Sequence, residues 1–187
     1  MIHRILSPLV TRKGRSLKRL LVTAISLLVV ATPVVVATST PAQADYPPIA
    51  TKFELRSAYN GKCLEILGLT NSNGAGVGVW DCWGGANQFW YWDSDLQAIR
   101  SYMNHKCLEI LSFDNNNGAQ VGTWDCWGGA NQRWSYPGID GSTVISSYFN
   151  GKFLDLLYHD GRNGAWAGMW QPTWQSNQYW QVRTYNW

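Results

Sequence analysis

The chain has 187 residues, of which 14% are charged, with 12 Trp, 18 Gly, a formal net charge of +3 and a sequence pI near 8.7. The basic excess belongs to the first 19 residues, where Arg4, Arg12, Lys13, Arg15, Lys18 and Arg19 stand without a single acid. From residue 45 onward nine basic residues face twelve acidic ones, a net charge of −3, which excludes the basic face that nucleic-acid binding requires.

In chain order, the basic start is followed by an apolar run, Leu20–Ala37, interrupted by Pro33, and then by Ala42-Gln43-Ala44. A charged start, an apolar stretch and small residues at an A-x-A site predict a secretory signal peptide over residues 1–44, cleaved after Ala44. The alternative, an uncleaved anchor, is disfavoured by Pro33 and by the clean cleavage site. The expectation is a secreted protein with no membrane insertion after cleavage. Residues 45–51 form a short lead-in, and 52–187 suit one domain with a real core.

That domain is repetitive. Cys63–Trp90 and Cys107–Trp134 are identical at 21 of 28 positions, and Phe153–Trp180 matches the second copy at 11 of 28. Three copies of such a unit imply threefold internal symmetry, each copy burying its apolar face against the others. The repeats run about 52–95, 96–140 and 141–187. Each opens with a strand-like segment, Phe53–Ser57, Ala98–Tyr102 or Thr143–Tyr148. A turn follows at Asn60-Gly61, Asn104-His105 and Asn150-Gly151, dipeptides that favour hairpins. An apolar strand comes next, Cys63–Leu67, Cys107–Leu111 or Phe153–Leu157, then Asn-Gly-Ala at 73–75, 117–119 and 163–165. A further strand ends at Trp80, Trp124 or Trp170, and each copy closes with Asn-Gln-x-Trp. Sustained helical periodicity is absent. About four short strands per repeat predict an all-β, barrel-like fold of about twelve strands.

Four Cys allow three pairings, and repetition selects Cys63–Cys82 with Cys107–Cys126, because equivalent positions in a symmetric fold pair equivalently. Export favours their oxidation. The third copy has Phe153 and Pro172 at those positions, so its loop is held by packing alone. With the Cys so used and no His cluster, no metal site and no cofactor are expected.

The whole pattern resembles the ricin-type β-trefoil lectins. The matching residues are Cys-Leu-Glu at 63–65 and 107–109, Phe-Leu-Asp at 153–155, the three Asn-Gly-Ala units, Trp-x-Cys at 80–82 and 124–126, and the three Asn-Gln-x-Trp endings. The resemblance covers essentially residues 45–187 and implies a β-trefoil. It also implies that Trp90, Trp134 and Trp180 pack the threefold core. Leu64, Leu108, Leu154, Leu67, Leu111, Leu157, Leu55, Ile99 and Ile145 read as core too.

A pyranose offers an apolar C–H face and a rim of hydroxyls. Binding it needs a flat aromatic for the face and rigid donors and acceptors for the rim. A carboxylate accepts from two neighbouring hydroxyls, and an Asn amide both donates and accepts. By resemblance those roles fall to Glu65, Trp80, Asn87 and Gln88 in repeat one. Repeat two supplies Glu109, Trp124, Asn131 and Gln132, and repeat three Asp155, Trp170, Asn177 and Gln178. For Asn and Gln the competing reading is structural, fixing a turn rather than touching sugar.

The chain departs from the family in three ways. Glu65 and Glu109 stand where Asp is usual, and only Asp155 keeps the common form. Gly78, Gly122 and Gly168 replace a frequent Gln two residues before the stacking aromatic. Trp83 and Trp127 follow the second Cys where a polar ring is common, with Thr173 in repeat three. These two Trp either widen an aromatic cleft or pack on the disulfide. Repeat three keeps the usual Asp155 but lacks the bridge that stiffens its loop, so repeats one and two are the better candidates for working sites.

The expected function is non-catalytic, multivalent binding of glycans or polysaccharides. A glycosidase needs two carboxylates in distinct environments, whereas these acids recur in like surroundings. A protein-binding trefoil, such as a protease inhibitor, is the alternative; it usually rests on one protruding loop, and the loops here are short and matched.

Overall fold

The computed structural model describes residues 51–138 and 140–185; the expected signal peptide and nearly all of the lead-in lie outside them. Eleven strands lie within the described residues, joined by short 3-10 turns. They are β1 (Lys52–Ser57), β2 (Cys63–Ile66), β3 (Ala75–Trp80) and β4 (Trp90–Asp93) in the first repeat. The second contributes β5 (Ala98–Ser101), β6 (Cys107–Ile110) and β7 (Ala119–Trp124). The third contributes β8 (Gly141–Thr143), β9 (Phe153–Leu156), β10 (Ala165–Trp170) and β11 (Trp180–Tyr185).

The expected twelfth strand is reduced to a single bridge, Trp134 to Ser147. Pro137-Gly138 follows within three residues, and a proline lacks the N–H that would extend the ladder. The strand expected over Thr143–Tyr148 is likewise shortened to β8 plus bridges at Ser146 and Ser147.

Three hairpins of identical register form the repeated unit. In the first, Cys63 faces Trp80, Leu64 faces Val79, Glu65 faces Gly78 and Ile66 faces Val77. Pairs β6–β7 and β9–β10 repeat this residue for residue. Their second strands then pair with one another in a ring, β3 with β7, β7 with β10 and β10 with β3. β1 pairs with β11 over six residues, Lys52–Tyr185 to Ser57–Trp180, joining the two ends of the domain.

Alternation along the hairpins sends Leu64, Ile66, Val77 and Val79 to the core and Cys63, Glu65, Gly78 and Trp80 to the other face. Trp90, Trp134 and Trp180 are fully buried. Their indole N–H groups donate to the backbone carbonyls of Leu64, Leu108 and Leu154 at 2.9–3.0 Å. Leu64, Leu108, Leu154, Leu55, Ile99, Ile145 and Leu157 are buried as expected. Leu67 and Leu111, each opening a 3-10 turn, are only half-buried, and Ile66 and Ile110, one residue earlier, fill the core.

The hairpin turns form where the dipeptides placed them. Gly61, His105 and Gly151 all have positive φ, and His105 adopts at +58° the conformation that glycine takes in its counterparts. Disulfides Cys63–Cys82 and Cys107–Cys126 are present. In repeat three, Trp174 packs edge-on against Phe153 with ring centroids 4.9 Å apart, an aromatic contact where the other repeats have a covalent one.

Candidate functional site

Each hairpin carries a carboxylate and an indole on its outer face. Glu65 lies opposite Gly78, and Trp80 is the diagonal neighbour two residues on, so the space above Gly78 separates them. The glycine is required for a second reason. A Cβ at Gly78 would stand 2.4 Å from the Ala165 carbonyl oxygen of the neighbouring repeat, and at Gly168 one would stand 2.6 Å from that of Ala119. The missing family Gln thus reflects the close packing of the strand ring.

The segment after Trp80 folds back over the hairpin through a 3-10 turn, Ala86–Gln88, which brings Asn87 and Gln88 against the carboxylate. Gln88 is fully buried and makes four hydrogen bonds. Its Nε2 donates to Glu65 Oε2 at 2.8 Å and to the Asp81 carbonyl at 2.9 Å. Its Oε1 accepts from the backbone N–H groups of Trp83 and Gly84. Gln132 and Gln178 repeat this arrangement, on Glu109 and Asp155 respectively. With its amide spent in this way, the Gln fixes the carboxylate and the loop.

Asn87 is buried as well, and its Nδ2 donates to the Ile66 carbonyl at 3.0 Å. Asn131 does the same to Ile110. Asn177 instead turns its amide onto both oxygens of Asp155 at 2.9 Å, with a longer contact to the Leu156 carbonyl. In all three repeats the Asn Oδ1 is buried and has no donor among the described residues. A buried acceptor without a donor is costly to hold.

Trp80 and Trp124 are 42% and 40% exposed, and Trp170 is half-buried. A neighbouring repeat supports each ring. The Trp80 ring lies beside Gly164, that of Trp124 beside Gly74 and that of Trp170 beside Gly118. These glycines belong to the Asn-Gly-Ala units, whose asparagines clasp the next repeat. Asn163 Oδ1 accepts from Lys62 Nζ and the Asp81 N–H, and its Nδ2 donates to Asp81, which also pairs with Lys62. Asn73 does the same with Lys106 and Asp125, whereas Asn117 only accepts, through Oδ1, from Lys152 Nζ and the Gln171 N–H. Lys62 and Asn163 hold the Asp81 carboxyl below its ordinary range, and Lys106 and Asn73 do likewise for Asp125. Sequence reasoning missed the clasp, although the Lys after each turn recurs in register in all three copies.

Repeat three differs from the other two. A pocket of about 250 Å³ opens there, lined by Asp155, Trp170, Asn177, Tyr158, His159 and Gln175 with Thr173. Burial pushes the Asp155 carboxyl up to about 6, against the lowering effect of its bonds to Gln178 and Asn177 and of His159 nearby. Tyr158 stands edge-on to Trp170 at 6.1 Å, and neither it nor His159 was singled out from the sequence.

A threefold ring of strands with a buried Trp from each copy defines a β-trefoil, and the acid–indole–amide hairpins give it the layout of a lectin domain. Residues 51–180 match the family described as the ricin-type beta-trefoil lectin domain, and the chain belongs to that family. A designed threefold-symmetric protein, ThreeFoil, is 26% identical with a TM-score of 0.65, over 70% of this chain and 96% of its own. The C-half of an earthworm R-type lectin, solved in complex with GalNAc, is 24% identical with a TM-score of 0.59, over 72% of this chain and 99% of its own. An exo-β-1,3-galactanase from Clostridium thermocellum is 26% identical with a TM-score of 0.66, over 73% of this chain but 31% of the enzyme.

Proposed function

We propose that the protein is a secreted, non-catalytic lectin that binds glycans or polysaccharides at its three hairpin sites. The observation that carries this reading is the threefold recurrence of a pinned carboxylate beside a buried amide oxygen without a donor, next to a solvent-facing indole. Glu65, Glu109 and Asp155 accept from neighbouring hydroxyls, the Oδ1 atoms of Asn87, Asn131 and Asn177 take a third, and Trp80, Trp124 and Trp170 stack on the sugar face. Gln88, Gln132 and Gln178 position the carboxylates. Single shallow sites are weak, and a rigid body carrying several gains avidity on a polymer or cell surface. Secretion rests on the leader sequence and agrees with the two disulfides. The GalNAc bound by the earthworm lectin makes galactose-type sugars a natural first probe.

The experiment is binding of residues 45–187 to a broad glycan and polysaccharide array, with free sugar as competitor. Signal on one sugar class, abolished by competition, is the expected result. Silence from a folded sample overturns the reading and brings forward protein binding.

A further inference from the structure

Repeats one and two differ from repeat three at three linked positions. Where the acid is Glu65 or Glu109, the residue after the second Cys is Trp83 or Trp127, and two residues on stands Gly85 or Gly129. Where the acid is Asp155, those positions hold Thr173 and Gln175. The structure shows why the three change together. The Trp83 indole N–H donates to Glu65 Oε2 at 3.4 Å, and that of Trp127 to Glu109 Oε2 at 3.3 Å. The Trp83 ring lies on the backbone of Gly85, where a Cβ would stand 2.1 Å from its outer carbons and 2.7 Å from Asn87 Oδ1. At Gly129 the corresponding distance to Trp127 is 2.2 Å. Any side chain at either glycine would expel the indole.

The indole therefore holds one oxygen of the carboxylate, and in repeat one it lies against the same glycine as the Asn87 amide oxygen, which remains buried without a donor among the described residues. Its own fit is loose. Trp83 is 58% exposed and Trp127 56%, and their N–H bonds are long. A hydroxyl entering in the ring's place would satisfy what the ring leaves unmet. Repeat three has Thr173 at this position, and there a pocket is lined by Asp155 and Asn177, although both side chains stay buried.

We infer that Trp83 and Trp127 are specificity-determining residues that occupy the sugar's place in repeats one and two, so that a free monosaccharide enters repeat three alone. The first two sites accept only ligands that displace the indole. A polymer already held at repeat three does so more readily, because tethering raises the local concentration of its other units. The inference rests on the reading of the three hairpins as glycan sites.

The test is calorimetric titration of residues 45–187 with galactose, N-acetylgalactosamine, glucose, mannose and xylose, counting sites per chain with the sugar that gives the largest heat. The wild type is expected to bind at one site, and Asp155→Asn to abolish it. The double variant Trp83→Ala, Trp127→Ala is expected to bind at three, the two new sites strengthened roughly tenfold or more relative to wild type. Trp83→Phe with Trp127→Phe keeps the rings without the N–H and guards against misfolding; it is expected to stay near one site. Three sites in the wild type, or no added sites in a folded double variant, overturn this inference and leave the glycan reading intact. Absence of binding to every sugar by every form removes both.

Discussion

Two kinds of Trp carry different burdens at the scale of single residues. Trp90 is sealed in the core with its N–H on the Leu64 carbonyl, so Trp90→Ala is expected to cost about 3–5 kcal/mol, read from urea denaturation. Trp80 and Trp124 are two-fifths exposed, and their joint replacement by Ala is expected to leave the urea midpoint close to wild type while glycan binding falls. A large loss of stability in the second case would place these rings in the fold rather than the site. Gln88→Ala strands two backbone N–H groups, a carbonyl and part of a carboxylate, and is expected to destabilise by at least about 1–3 kcal/mol.

Asp155 gives a pH dependence of definite sign. Its carboxyl titrates near 3.8 in the unfolded chain and about 6 in the fold, so the folded state holds the proton more tightly. The stability it contributes is present in full below 3.8 and is lost as pH rises toward 6. Binding runs the other way, since the ionised form is the better acceptor of hydroxyls. Affinity at repeat three is expected to rise through about pH 6, and Asp155→Asn to remove the dependence along with the site. Tyr158 and His159 are the pocket's other ionisable side chains, and unfolding of the Asp155→Asn protein followed across pH separates any contribution of theirs to stability from that of the acid.

At the scale of elements, the hairpin and its neighbour together build the proposed site. The acid comes from β2, the indole from the end of β3, the amides from the 3-10 turn, and the glycine beside the indole from another repeat. This arrangement makes the strand ring a condition for the site. Gly78→Ala would press a methyl group onto the Ala165 carbonyl, and a loss of about 1–3 kcal/mol is expected in thermal or urea unfolding. The exposed Lys–Asn–Asp clasps add lateral register. Surface ion pairs of this kind contribute little singly.

At the largest scale, the described residues form a threefold domain with two covalent bridges and one aromatic substitute. Each disulfide closes a loop between residues 19 apart, for which chain entropy gives about 3 kcal/mol. Reduction is therefore expected to lower the thermal midpoint well beyond the effect of any one surface variant. It is expected to loosen repeats one and two first, because repeat three is held by Phe153 and Trp174. The same asymmetry recurs at the proposed sites, where Trp83 and Trp127 donate to the carboxylates of repeats one and two and a pocket is lined by Asp155 in repeat three.

The sequence by itself determined the architecture. Copies of a 28-residue unit, spaced so that each must bury its apolar face against the others, admit a closed threefold assembly, and the register of Cys, acid, Trp and Asn-Gln-x-Trp within each copy located every hairpin, both disulfides and the family. Composition alone also placed the charge, with the basic excess confined to the first 19 residues. It did not show which strand would fail. Pro137 ends the twelfth after one bridge, and Leu67 and Leu111 are only half-buried while Leu157, opening the same turn, is buried, which the packing around each turn decides. Only the tertiary structure decided the division of labour inside the site, since it rests on contacts between residues distant along the chain. Gln88 reaches Glu65 across 23 positions, and Asn163 reaches Asp81 across 82. Nor could the sequence show that the second Trp of repeats one and two lies on the acid, or that a pocket beside Thr173 is lined by Asp155 in the diverged third copy.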